Sequence, residues 1–331
     1  MTEAFIYSWQ VIAPILLMVV AGYVAKRILP MDTDFYKLVN KLCFRIFLPT
    51  SLFCNVYRMQ AISEVNGKVL LFVIFAILLT VVLGMVVAHF IPERDQKGVM
   101  VQVAFRSNNM IMGIYIASAL GGAAAESFAV STVAISVCLF NILAVIVLEY
   151  YAGSESRGIK QTLEALIKNP LLIAILLGFL CVFIRNIERS IFGDTPFTLQ
   201  NNLPSVYKLL TDFSKVATPV MIFNLGALLD FGATKAKLNR IIFGVCLRLL
   251  IAPAICLLLA VLLRNPLEIT SVEYPALIAV FTTPAAVSGS VMVAEIGGDS
   301  QLASQIIIWS TAFSMVTMFL FIFAFRLMGL I

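Results

Sequence analysis

The sequence predicts an all-α polytopic membrane protein with ten transmembrane helices. They form two inverted five-helix repeats, with broken helices 4 and 9 crossing. Three observations predict this: the composition, the spacing of the apolar runs and the likeness of the two halves. Of 331 residues, 61% are hydrophobic and 12% are charged, against roughly 45–50% apolar and about 25% charged in soluble domains. A soluble fold of this size needs a polar surface that this chain cannot supply. A soluble enzyme, a disordered protein and a nucleic-acid binder are thereby excluded as classes.

A span needs about 20 apolar residues to cross the hydrocarbon. The runs that qualify are 8–29, 35–57, 69–91, 98–120, 127–149, 168–187, 205–229, 239–263, 273–294 and 302–328. Turn or charge signals bound them, among them Asn66-Gly67-Lys68, Gly121-Gly122 and Gly297-Gly298-Asp299. The first run has no basic stretch before it and Lys26-Arg27 after it, so it reads as a retained span rather than a cleavable signal. With the N-terminus outside, and charges near span ends counted with the adjoining loop, the side after odd-numbered spans carries eleven Lys and Arg, the other side seven, and five lie deeper within spans. Positive charge collects on the cytoplasmic side, so both termini are expected on the extracytoplasmic side of an inner, multi-pass membrane protein. Six cysteines lie at no metal or redox spacing and His89 is the only histidine, so no metal site is expected.

Residues 1–150 form the first repeat, 151–167 a cytoplasmic linker and 168–331 the second repeat. In the linker Ile159, Leu163, Leu166 and Ile167 fall at helical spacing, which fits either a short interfacial helix or a plain solvated connection. An offset of 176 residues brings Phe105 onto Phe281, Gly113 onto Gly289 and Gly121-Gly122 onto Gly297-Gly298. An offset of 170 brings Arg45 onto Lys215, Pro49 onto Pro219 and Phe53 onto Phe223. Five spans per half is an odd number, so the second half enters the membrane inverted, a pattern of secondary transporters.

The polar residues inside spans mark the chemistry. Span 4 carries Arg106-Ser107-Asn108-Asn109 in one run. Four successive polar residues cannot share one helical face, so the helix is expected to open there. Span 9 carries Thr283-Pro284-Ala285-Ala286-Val287-Ser288, with Pro284 matched to Asn108, and proline removes a donor and clashes with the preceding turn. Two interrupted helices crossing at mid-membrane would aim two helix N-termini at one point, which suits an anion. Arg106 either holds a carboxylate or snorkels to the headgroups. Arg248 carries the same alternatives, and Lys41, near a span end, is expected to snorkel. Asp212 and Lys215 read as an interfacial ion pair or a gating pair. Asn141 and Asn224 are buried amides that glue helices or face substrate. The binding set is therefore Arg106, Ser107, Asn108, Asn109 and Asn141 from the first half, and Thr283, Pro284, Ala285 and Ser288 from the second. No residue is expected to be catalytic. Apart from Asp212, no carboxylate lies inside a span, whereas proton relays use intramembrane Asp or Glu. No cofactor is expected, and coupling to Na+ or H+ stays open.

The stretches Leu-Pro-Thr-Ser-Leu-Phe (48–53), Phe-Arg-Ser-Asn-Asn-Met-Ile-Met-Gly (105–113), Asn-Ile-Leu-Ala-Val (141–145) and Lys-Asn-Pro-Leu-Leu-Ile-Ala-Ile-Leu-Leu-Gly (168–178) resemble the auxin efflux carrier family of permeases. So do Thr-Pro-Val-Met-Ile-Phe-Asn-Leu-Gly (218–226), Thr-Pro-Ala-Ala-Val-Ser (283–288) and the Gly-Gly-Asp before span 10. The resemblance implies the ten-span fold of the bile-acid:sodium symporters. Spans 1, 2, 6 and 7 would be a scaffold through which a homodimer forms. Spans 3–5 and 8–10 would move as an elevator, with substrate at the crossing of spans 4 and 9. Asn108, Asn109 and Pro284 would lie at that crossing, and Leu48 and Pro49 would face it from the scaffold. The loop after span 5 is short, as in bacterial members assigned small carboxylates such as malate or malonate. Plant members, which carry auxin, have a long one. Many relatives have proline in both crossing helices, where this chain has Asn108 opposite Pro284.

The function expected is a secondary transporter for a small organic anion, with lipid and a second copy of the chain as its other partners. A sodium-coupled symporter, an exporter of an auxin-like aromatic carboxylate and a non-transporting sensor are the alternatives. An intramembrane enzyme is disfavoured, since the chain lacks HExxH, an aspartyl pair in the spans and a Ser–His arrangement.

Overall fold

The computed structural model describes residues 2–29, 31–58, 66–152, 170–192, 197–228 and 237–331. Among these the long helices are α1 (Thr2–Ile28), α2 (Thr33–Leu42), α3 (Leu48–Tyr57), α4 (Gly67–His89), α5 (Arg94–Phe105), α6 (Ile114–Ala152) and α7 (Pro170–Phe192). They continue with α8 (Pro204–Ala227), α9 (Leu238–Cys246), α10 (Ala252–Leu262), α11 (Glu273–Thr282), α12 (Ser288–Ile296) and α13 (Ser300–Leu327). Among the described residues the one extended pairing is an isolated antiparallel bridge between Ser107 and Ala285. The chain is an all-α protein of membrane type. The linker helix expected within 151–167 lies, beyond Ala152, outside the described residues.

Among the described residues, five helical stretches are long and apolar enough to cross a membrane: Thr2–Ile28, Gly67–His89, Asn109–Tyr151, Leu238–Leu262 and Ser300–Leu327. The third has 43 residues, about twice what one crossing needs. Gly122 interrupts it with φ 65° and ψ −155°, a conformation that only glycine adopts without strain. Two π-helical turns, Cys43–Phe47 and Leu247–Ile251, join α2 to α3 and α9 to α10. Each is followed within two residues by a proline, Pro49 and Pro253. Proline cannot donate to the carbonyl four residues back and its ring crowds it. Widening the turn relieves both.

The helices form two compact units. One comprises Met1–Leu16, Gly67–Glu164 and Leu229–Ile331, the other Leu17–Asn66 and Ala165–Leu228. The first is built on an apolar cluster that includes Val99, Met100, Leu249, Val293, Leu302 and Ile306. Within it Tyr7 donates to the Leu120 carbonyl at 2.8 Å, and the Arg326 guanidinium stacks 4.4 Å from the Tyr7 ring centre.

The second unit is tied by polar contacts to main chain. Arg185 donates to the Tyr57 carbonyl at 3.1 Å, and Asn224 Nδ2 to the Tyr36 carbonyl at 3.0 Å. Asn224 thus joins helices. The ion pair formed by Asp212 is with Lys208, at 2.6 Å, which corrects the expected pairing with Lys215. Lys208 lies one full turn earlier, the spacing at which helical side chains meet, and the pair is exposed.

At Gly226, α8 lies against α1 so closely that a Cβ would collide with the Val19 carbonyl and stand 2.9 Å from its Cα. At Gly67 a Cβ would meet nothing within 4 Å. Gly226→Ala is therefore expected to destabilise the protein by about 1–3 kcal/mol, and Gly67→Ala to leave it unchanged. Circular-dichroism melting in detergent micelles checks this, and equal midpoints for the two variants would contradict the close approach.

Candidate functional site

The site forms where two helices of the first unit stop. α5 ends at Phe105, and Arg106 turns out of it with φ −82° and ψ 94°. Ser107, Asn108 and Asn109 are weak helix formers, and their short side chains compete for main-chain groups. A π-helical turn, Asn109–Gly113, then starts the next helical segment. α11 ends at Thr282, and Thr283 is extended with ψ 151°, as a residue before proline prefers. α12 resumes at Ser288.

The two gaps pair with each other. Asn108 N–H donates to the Pro284 carbonyl at 2.8 Å, and Ala286 N–H to the Arg106 carbonyl at 3.1 Å. Between them, Ala285 N–H donates to Ser310 Oγ of α13 at 3.2 Å. Main chain that would be costly if unpaired in hydrocarbon is thus paired within the unit.

Arg106 is 7% exposed. Its guanidinium donates to Asn141 Oδ1 at 2.8 Å, Ser288 Oγ at 3.1 Å and the Phe140 carbonyl at 3.4 Å. All three partners are neutral. The side chain is held inward rather than snorkelling. Asn109 Nδ2 donates to Ser136 Oγ at 2.7 Å. Four buried side-chain atoms in this region have no hydrogen-bond partner: Gln102 Nε2, Ser107 Oγ, Asn108 Nδ2 and Asn109 Oδ1. Buried polar atoms are paired in the great majority of cases, so four orphans around one break need a reason. A cavity of about 10 Å³ lies beside Gln102, Arg106, Ala285, Ala286 and Gly289.

Of the residues singled out in the sequence, Arg106, Asn141 and Ser288 meet through one guanidinium. Ser107 and Ala285 face each other in the bridge, and Asn108 bonds to Pro284. The Thr283 hydroxyl donates to the Ala279 carbonyl at 2.9 Å, back along its own helix. Leu48 and Pro49 belong to the second unit, where they begin α3.

Three participants escaped the sequence reading. Gln102 stands one turn before Arg106, a spacing that could have flagged it. Ser136 partners Asn109 from 27 residues away. Ser310 holds the bridge through the Ala285 amide, and nothing local in the sequence marks it.

Similarity to known proteins extends along nearly the whole chain. A family model described as membrane transport protein matches residues 7–322. An uncharacterized transporter of Methanocaldococcus jannaschii is 26% identical over 318 residues, covering 93% of this chain and 95% of the relative.

Ser310→Ala removes the acceptor of the Ala285 amide and leaves that buried donor orphaned, at a cost of about 1–3 kcal/mol. The Ser314 hydroxyl, by contrast, donates within its own helix, to the Thr311 carbonyl at 2.8 Å. Ser310→Ala should therefore lower the melting temperature in detergent clearly more than Ser314→Ala. Equal losses would remove the bridge-supporting role.

Proposed function

The chain belongs to the membrane transport protein family of auxin efflux carrier type, and from that premise we propose that it is a secondary carrier for a small organic anion, a carboxylate such as malate or malonate. It is a membrane transporter and not an enzyme. The observation that carries the anion reading is Arg106, a buried cation whose three hydrogen-bond partners are all neutral. A charge in a low-dielectric interior is costly without a counter-charge, and a bound carboxylate supplies one in a geometry the guanidinium fork matches.

The orphaned Gln102, Ser107 and Asn108 groups support a substrate with several polar atoms, since each lies within the same break. In this reading Arg106 carries the charge recognition. Ser107, Asn108, Asn109 and Gln102 supply hydrogen bonds, and Asn141 and Ser288 hold the guanidinium in place. Pro284 keeps the second helix open.

Both halves of the crossing lie in one compact unit, which makes that unit the natural moving part of an elevator. The other unit, with Leu48 and Pro49, would be the static scaffold and the homodimer surface. The fold would then be ten spans in two inverted repeats. Loop charge supports an inner-membrane orientation with both termini extracytoplasmic.

The test is uptake of labelled malate into proteoliposomes under an imposed membrane potential, with unlabelled carboxylates as competitors. Arg106→Ala should lower uptake by about 30-fold or more, the loss that follows from removing one partner of a buried charged contact. Its melting temperature should stay close to that of the unaltered protein. Unchanged uptake in Arg106→Ala would remove Arg106 from substrate recognition.

A further inference from the structure

The second buried arginine of the first unit has a different task. Arg248 sits in the π-helical turn between α9 and α10 and is 1% exposed. Its guanidinium donates to four main-chain carbonyls: Thr283 at 3.0 Å, Ala104 at 3.1 Å, Val280 at 3.2 Å and Phe281 at 2.9 Å. None of its partners is a carboxylate.

These carbonyls are the ones that the helix breaks release. In an unbroken helix the Ala104 carbonyl would accept from the Asn108 amide, which instead donates to Pro284. The Val280 carbonyl would accept from residue 284, which is a proline and has no N–H. The Phe281 carbonyl would accept from Ala285, whose amide goes to Ser310. Thr283 has left the helix altogether. Two helix C-termini, each equivalent to roughly half a negative charge, therefore converge on one guanidinium. Unwound carbonyls and half-helix C-termini are the ligands with which broken-helix transporters hold a monovalent coupling cation.

We infer that the Arg248 guanidinium is a built-in substitute for a coupling cation, so that the carrier binds substrate and cycles without Na+. A bound Na+ does not fit these residues, because the carbonyls that would ligate it already accept from Arg248. The inference rests on the transport reading above for its significance and for the uptake arm of its test, while the melting arm stands apart from it, because cation binding is read there on the protein without substrate.

The experiment measures melting temperature in detergent with NaCl, KCl or choline chloride at equal ionic strength, for the unaltered protein, Arg248→Ala and Arg248→Lys. The unaltered protein and Arg248→Lys should melt at the same temperature in all three salts. Arg248→Ala should be destabilised in choline and regain stability with Na+ or K+, saturably and by about 5 °C, because a ligand that binds only the folded state raises its stability. Sodium-free uptake by the unaltered protein should equal uptake in sodium. A sodium-dependent melting temperature or uptake in the unaltered protein overturns the inference. So does an Arg248→Ala variant that no monovalent cation stabilises, since a purely structural cap would behave that way. If Arg248→Ala does not fold, Arg248→Ser takes its place with the same expected and overturning results.

Discussion

The rest of the structure depends on one constraint: a helix opened inside a membrane must find partners for the main-chain groups it frees. Four carbonyls are released where α5 and α11 stop, and all four converge on Arg248. An unpaired buried polar group costs about 1–3 kcal/mol, so four would cost about 4–12 kcal/mol. That approaches the whole net stability of a folded protein, about 5–15 kcal/mol. The break is tolerable only because one planar side chain with five N–H donors spans both helix ends. A lysine ammonium has three donors from a single point and could not reach four carbonyls so evenly. The Ser107–Ala285 bridge and Ser310 complete the arrangement on the amide side.

Two cations close to one crossing would repel each other and any third positive charge, unless each has its own compensation. Arg248 is compensated by helix dipoles. Arg106 has only the dipoles of Asn141, Ser288 and the Phe140 carbonyl, which orient a guanidinium without neutralising it. The two arginines therefore divide the work. One makes the open backbone stable, and the other leaves a net positive charge in the space the open backbone creates. On the proposed carrier reading, that balance favours an anionic cargo over small cations. This asymmetry links the stability of the fold to the kind of cargo it suits.

Much of this was legible in the sequence, for identifiable reasons. Membrane class followed from composition, because no arrangement hides so many apolar residues from water. The helix interruptions could be read at 106–109 and 283–288, because four polar residues in a row and an interior proline both defeat a continuous apolar helix. Asn141 and Ser288 stood out as polar residues in apolar surroundings. What could not be read were the partners. Arg248 reaches Ala104 across 144 residues of chain, and Ser310 accepts from Ala285 on a helix where Ser304 and Ser314 bond back along it. Gln102 looks like any polar residue near a helix end until the break beside it leaves its amide without a partner. Periodicity reports the face a residue occupies but not which distant main-chain group is waiting for it. The ion pair of Asp212 shows the same limit at short range, because Lys208 and Lys215 both lie within helical reach and only the rotamers decide.

The sequence difference between the two crossing helices also has a physical reason. Asn108 stands where a second proline would make the helices alike. Its amide is the donor of the 2.8 Å bond to the Pro284 carbonyl, and a proline has no amide to give. With proline at both positions, the bridge would keep the bond from Ala286 to Arg106 and lose its counterpart, and the Pro284 carbonyl would need another donor. With asparagine at both positions, the second helix would regain an N–H at position 284. That N–H would compete with Arg248 for the Val280 carbonyl, a competition that proline abolishes. One proline and one asparagine thus serve two ends: the proline releases the carbonyl that Arg248 takes, and the asparagine supplies the amide that closes the bridge. The Asn108 side chain then adds to the opened segment a buried, unpartnered Nδ2, a donor that a proline in its place would lack.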